Sequence, residues 1–269
     1  MREFLVRTSD RPRPLPSGRW VMSQRWSDLL FAHWPVPAHV VAPLIPEGLQ
    51  VDTFNGSAWL GVVPFWMDRI KFRGIPSIPG AHRFPELNLR TYVRDPQTGS
   101  QGVFFISLDA GNLLGVTFAR TFFSLPYYWA EMRFEKHSER EFAFYSRRRM
   151  TAGPVIFKAR YRGLGPTRKL VESRAGSLEY FLTERYCLFT RGRDGQPRRA
   201  NIHHVPWPLE EAEAEIERND LASIVGIHLP DIPPVLHYSR RLAVYVWQLE
   251  RLRTARAARR IPAAAFPSP

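Results

Sequence analysis

The sequence predicts a mostly β protein with few helices, closed as a barrel or packed as a sandwich. Three observations carry this. Short apolar runs alternate with period 2 along much of the chain, turn residues separate them at close spacing, and only one long stretch keeps a helical spacing. Hydrophobic residues make up 44% of the 269 and aromatics 13%, enough for a sizeable core.

Taken in order, residues 1–19 carry Pro12, Pro14 and Pro16 and read as an extended arm. A single domain follows over residues 20–250, and residues 251–269 read as a basic, flexible tail. Trp20–Phe31 opens the first strand, and Pro37–Leu44 is a short helix with Pro37 suited to its first turn. Asn55-Gly56 between two alternating runs signals a hairpin, with Val51 and Thr53 leading in and Ala58–Phe65 leading out. Residues 74–85 are punctuated by glycine and proline and read as a loop. Glu86–Arg94 reads as a strand with Leu87, Leu89, Thr91 and Val93 on one face and Glu86, Asn88, Arg90, Tyr92 and Arg94 on the other.

Turns are expected at Asp95–Gly102 and Asp109–Asn112, around a strand at Val103–Leu108, with another apolar strand at Leu113–Phe123. From Tyr127 the chain is aromatic and fits a short helix or a further strand. Strands also fit Arg133–Tyr145, Arg147–Thr151, Val155–Tyr161 and Leu178–Thr190. Pro208–Ile224 is the clearest helix. It opens on proline, has Glu210 and Glu211 in its first turn, and places Leu209, Ala212, Ile216 and Leu221 near helical spacing. Leu242–Leu249 is a final strand.

The formal net charge of +13 raises the question of nucleic acid. Only four of the 38 basic residues are lysine (Lys71, Lys136, Lys158, Lys169), and the arginines spread along the whole chain, which argues against nucleic-acid binding as the main role. A single cysteine, Cys187, excludes an internal disulfide and points to a reducing, cytoplasmic setting. No secretory leader is read at the N-terminus, and no apolar run reaches the ~18 residues of a membrane span. Dinucleotide, phosphate-loop, zinc-protease and nucleophile-elbow motifs are missing, so no cofactor is expected. Edge strands leave a homo-oligomer open.

Three constellations bear on chemistry. Glu86, Asn88, Arg90 and Tyr92 form one polar row along a strand face, which either meets water or lines the inside of a barrel. Inside a barrel, an arginine grips a carboxylate and a buried glutamate has a raised pKa. Arg120 with Pro126, Tyr127 and Tyr128 is either core and turn packing or a place where a buried phenol takes its hydrogen-bond partner from a ligand. His203-His204 point to opposite faces of a strand and cannot share one metal, so no metal site is expected. His33, His82, His228 and His237 show no ligand spacing, and Cys187 reads as an inert buried thiol.

Six strings together resemble the YqjF-like family of bacterial proteins, a domain of unknown function: LIPEGL from Leu44, FPELNLRTYV from Phe84, VFFISLD from Val103, ARTFFSLPYY from Ala119, LTERY from Leu182 and HVPWPL from His204. The resemblance covers residues 20–250. It implies an acetoacetate decarboxylase-like fold, a large antiparallel β-barrel or double-sheet cone around a cavity. The decarboxylase pattern is Gly-Arg-Glu followed by Gly-x-Pro-Lys-Lys, in which one lysine forms the Schiff base and the other depresses its pKa. Here Arg120 and Pro126 keep their spacing, Thr121 replaces the glutamate, and Tyr127 and Tyr128 stand where the lysines would be. A phenol forms no imine, so the resemblance implies a ligand-binding cavity without that reaction. Its expected pocket is Glu86, Asn88, Arg90, Tyr92, Arg120, Tyr127 and Tyr128, and its partner a small apolar or anionic molecule. Two alternatives stand beside it: an enzyme acting on a keto acid or enol, with Glu86 as acid/base and Arg90 or Arg120 as anchor, and a nucleic-acid-binding protein led by the basic tail.

Overall fold

The computed structural model describes residue 8 and residues 11–74, 83–112, 125–166, 168–169 and 176–252. The expected strand Leu113–Phe123, Arg120 with it, His82, and the tail beyond residue 252 lie outside these.

The β-branched and aromatic runs form long strands. β1 (Met22–Val36), β3 (Ala58–Phe72), β4 (Arg83–Asp95) and β5 (Ser100–Ala110) are joined by the short β10 (Cys187–Arg191), β11 (Pro197–His203) and the long β13 (Val235–Val246). These seven close a ring, in the order β4–β5–β10–β11–β13–β1–β3 and back to β4. A second sheet, β6 (Tyr127–Lys136), β7 (Glu141–Arg148), β8 (Ile156–Gly163) and β12 (Pro208–Asn219), wraps over one side of the ring and is joined to it at β5 and β13. The short pairs β2 (Gln50–Val51), β9 (Arg168–Lys169) and β14 (Glu250–Arg251) complete fourteen strands among the described residues. The expected barrel and double sheet are both present. The sheet is mixed rather than wholly antiparallel, because β5 runs parallel to both β10 and β6.

This layering gives β1, β3 and β4 two buried faces. Leu30, Ala32, Val62, Leu87 and Leu89 pack outward against Phe142, Phe144, Phe157 and Tyr161 of the second sheet. Leu29, Phe31, Val63, Phe65 and Met67 point into the ring, where they meet Leu188, Ile202, Trp207 and Val244. A strand buried on both faces hides its polar row as thoroughly as its apolar one, which is why Glu86, Asn88 and Arg90 are buried and not in water.

The helix expected at Pro208–Ile224 is instead the strand β12 followed by a short turn of 3₁₀ helix at Ser223–Val225. Period 2 outweighs the helix-like spacing: Glu211, Glu213, Glu215 and Glu217 are exposed, while Ala212, Ala214 and Ile216 face inward. Those glutamates lie beside a basic strand, and Arg162 of β8 donates to Glu213 at 2.6 Å. The strand expected across Leu178–Thr190 opens as a helix, α2 (Leu178–Thr183), because the Ser177 hydroxyl caps the Tyr180 N–H and Glu179 occupies its first turn; only Cys187–Arg191 is strand.

Asp109 and Ala110 belong to β5 rather than to a turn, with Asp109 held by Arg148 at 2.6 Å. The Arg133–Tyr145 run divides between β6 and β7, and residues 149–151 lie beyond the end of β7. Asn55-Gly56 makes its turn with both residues at positive φ, but only Phe54 and Ser57 pair across it, because β2 joins β4 instead of β3. The short helix after β1 falls where expected, as α1 (Ala38–Val41), with Pro37 as its N-cap. The N-terminal arm lies against the barrel: Arg11 donates to the Ile202 carbonyl at 2.8 Å and Arg13 to that of Thr98 at 2.6 Å.

Candidate functional site

Glu86, Asn88 and Arg90 stand on the ring-facing side of β4, two residues apart each time, and line a cavity of about 340 Å³ inside the barrel. Most of the wall is apolar, including Trp26, Phe84, Phe105, Leu188, Ile202 and Trp207. The polar groups that reach it besides the β4 row are Gln24, Tyr127, Thr183, Arg185 and His204.

The two ends of the β4 row differ in chemistry. At one end the Tyr127 hydroxyl donates to Glu86 Oε2 at 2.7 Å, and the Asn88 amide donates to Oε1 at 3.1 Å. Burial pushes the Glu86 carboxyl up to about 8, against the opposing pull of those two hydrogen bonds and with a smaller push from Asp109. The group is therefore neutral at pH 7. Burial also carries the Tyr127 hydroxyl well above its ordinary range, so it stays protonated.

At the other end Arg90 leans away from Glu86. Its Nη2 donates to Tyr92 Oη at 3.3 Å and to the Leu182 carbonyl at 3.4 Å, and its guanidinium lies 5.0 Å from the centre of the Phe31 ring. Tyr92 sits behind it, donating to the same carbonyl at 2.7 Å and bonded to His33 Nε2 at 2.7 Å. Arg185, from the turn after α2, is anchored by Asp52 at 2.6 Å and by the Phe181 carbonyl at 2.6 Å. Both ring nitrogens of His204 face carbonyl oxygens, those of Val205 at 2.8 Å and Arg185 at 3.1 Å.

Of the residues expected in a pocket, Glu86, Asn88, Arg90 and Tyr127 border the cavity and Tyr92 supports Arg90. Tyr128 does not border it. Neighbours on a strand point to opposite faces, and its ring packs 4.2 Å from the guanidinium of Arg148 on the far side. Arg120 lies outside the described residues. Sequence reasoning missed Arg185, Trp26 and Trp207. Arg185 and Trp207 lie in the family strings LTERY and HVPWPL, where their role was legible only as resemblance; Trp26 had no signal beyond being an aromatic on a strand. No group of three or more His, Cys, Asp or Glu is arranged to hold a metal among the described residues, and no helix there is long and apolar enough to cross a membrane.

A closed ring with a second sheet and a central cavity is the acetoacetate decarboxylase-like architecture. The chain is similar in structure to acetoacetate decarboxylase from Legionella pneumophila subsp. pneumophila, with a TM-score of 0.60 over 93% of this chain and 94% of that one, at 13% identity. It is similar to an acetoacetate decarboxylase-like enzyme from Sphingomonas wittichii RW1 (TM-score 0.60, 91% of this chain, 98% of that one, 11% identity). It is also similar to the enduracididine biosynthesis enzyme MppR complexed with pyruvate (TM-score 0.57, 91% and 95%, 11% identity). At these identities the likeness is one of fold. Residues 23–243 match the DUF2071 family, described as an uncharacterized conserved protein, and the chain belongs to that family. It is 44% identical over 237 residues to the uncharacterized protein YqjF of Bacillus subtilis (strain 168), covering 88% of this chain and 95% of that protein.

Proposed function

We propose that the barrel cavity binds a small organic molecule with an anionic end and an apolar body, and that Arg90 is the anion's anchor. One observation carries the reading. Three arginines are buried among the described residues; Arg148 has Asp109 and Arg185 has Asp52, each at 2.6 Å, while Arg90 has no carboxylate partner among the described residues. A guanidinium taken out of water without a counterion costs several kcal/mol. Arg90 borders the cavity and its Nη1 has no hydrogen bond to a described group, so it remains for a ligand. A carboxylate there restores the missing charge and adds a charge-assisted hydrogen bond. The apolar wall and the cavity's size suit one small molecule, at the low end of the ~300–1,000 Å³ range of ligand pockets.

Calorimetric titration with benzoate, cinnamate and octanoate, each beside its primary amide, tests this. The expected result is at least one acid whose Kd is tenfold or more below that of its amide. Acids and amides binding alike would overturn it.

Imine chemistry has no place in this reading. Tyr127 supplies a phenol to the cavity, Lys71, Lys136 and Lys158 are exposed, and no lysine lines the cavity among the described residues. Borohydride reduction in the presence of acetoacetate is expected to leave the mass of the intact protein unchanged. A reduced adduct on a lysine would contradict it.

A further inference from the structure

The β4 row makes the cavity wall polar at two separated places, and the distance between them restricts what fits. Glu86 and Arg90 are four residues apart on a strand whose rise puts their Cα atoms ~13 Å apart. The β4–β5 register shift between Leu89 and Arg90 does not shorten this, because the extra residue, Ile106, is on β5. Nor do the side chains converge. Arg90 is drawn toward Tyr92 and Leu182, and Glu86 toward Tyr127.

The two places are joined by an aromatic wall. From Arg90 it runs to Phe31 at 5.0 Å, then to Trp207 at 4.8 Å, to Trp26 at 5.8 Å and to Phe65 at 5.6 Å, between ring centres after the first step. Phe65 is the cross-strand partner of Glu86, so the wall ends beside the carboxyl group. Trp26 and Trp207 both border the cavity. They lie 26° from parallel to each other, while Phe31 meets Trp207 edge-on at 81° and Phe65 meets Trp26 at 58°, so the span between the two polar places is aromatic and suits an aromatic body packed against the two indoles. At the far end, Glu86, Asn88 and Tyr127 offer both donors and acceptors within one hydrogen-bonded group, which matches a hydroxyl or a carbonyl oxygen.

We infer that the ligand is an elongated, flat organic acid whose carboxylate meets Arg90 and whose opposite end carries a hydroxyl or carbonyl received by Glu86, Asn88 and Tyr127, the class represented by 4-hydroxycinnamate. This rests on the anion-binding reading above and narrows it. A short oxo acid, with its carbonyl next to its carboxylate, cannot occupy both ends at once.

The test is calorimetric titration of the full chain with 4-hydroxycinnamate, cinnamate, 4-methylcinnamate and pyruvate. 4-Hydroxycinnamate is expected to bind at least tenfold tighter than cinnamate and 4-methylcinnamate, with pyruvate weaker again by tenfold or more. In Tyr127→Phe and Glu86→Leu the ratio between cinnamate and 4-hydroxycinnamate is expected to fall below threefold. If one variant does not fold, the other decides, and the wild-type ratio stands by itself. Cinnamate binding as tightly as its hydroxylated form, or pyruvate binding as tightly as either, overturns this inference while leaving anion binding at Arg90 intact. If none of benzoate, cinnamate and octanoate outbinds its primary amide, both readings fall.

Discussion

Replacing Arg90 with methionine is expected to lower the affinity for the organic acid by about thirtyfold, ~2 kcal/mol from a lost charge-assisted hydrogen bond, and at the same time to leave the ligand-free protein no less stable. The opposite signs are the point. A residue kept for packing or for an internal ion pair loses stability when it is removed. Arg90 is buried with 6% of its surface exposed, makes two long hydrogen bonds at 3.3 and 3.4 Å, and has no acidic partner among the described residues. Methionine keeps much of the stem's packing and removes an uncompensated charge, which is neutral or favourable in an apolar site. A gain of ~1 kcal/mol in the free protein would raise its Tm by a few degrees. Thermal melts with and without ligand read both effects. Arg185→Met is the contrast, because it leaves the buried Asp52 without its cationic partner and with only the Gln101 side-chain hydrogen bond, and its melting temperature is expected to fall. A matching fall in Arg90→Met would mean that Arg90 is structural.

The second large effect is on the pH dependence of stability and comes from Glu86. In the unfolded chain its carboxyl titrates near 4.5, and in the barrel near 8. Below pH 4.5 it is protonated in both states and costs nothing. Between 4.5 and 8 the unfolded chain has released a proton that the folded chain keeps, so stability falls with rising pH at ~1.4 kcal/mol per unit. Above 8 the loss is complete, on the order of a few kcal/mol. Glu86→Gln keeps a group that can bond both Tyr127 and Asn88 but has no proton to lose. Urea unfolding is expected to give similar stabilities for variant and wild type near pH 4.5, and a variant more stable by a few kcal/mol at pH 8. Asp109, raised to about 6 chiefly by burial, slopes in the same direction and is present in both proteins. A difference that does not change with pH would show that Glu86 titrates in the folded protein as it does in the unfolded chain.

Much of this was legible in the sequence where one period dominated. The strict alternation from Glu86 to Arg94 gave the strand and grouped its polar residues correctly, and the resemblance supplied a barrel for them to face into. What alternation could not give was the side that met water, since a strand sandwiched between a cavity and a second sheet hides both faces. The failure at Pro208–Ile224 is of another kind. Leu209, Ala212 and Ile216 fit a helix well enough, and proline and acidic residues imitate a helix start. The deciding information lay on β8, whose Lys158, Arg160 and Arg162 form a basic row beside Glu217, Glu215 and Glu213, and pairing between distant strands is not written in a local window. The same holds for the site. Arg90 and Tyr127 were visible singly, whereas the lack of a carboxylate partner for Arg90 among the described residues exists only once the pairs of Arg148 and Arg185 have been found in space. Tyr128 was misplaced because two adjacent aromatics on a strand cannot both face inward.

The most direct measurement is a crystal structure of the protein soaked with 4-hydroxycinnamate. The expected result is density in the barrel with carboxylate oxygens within ~3.2 Å of the Arg90 guanidinium, a hydrogen-bonding distance, and the ring along Trp207 and Trp26. Density with the carboxylate turned away from Arg90, or an Arg90 already paired with a carboxylate of the protein itself, would contradict the assignment of this cavity as an anion-binding site.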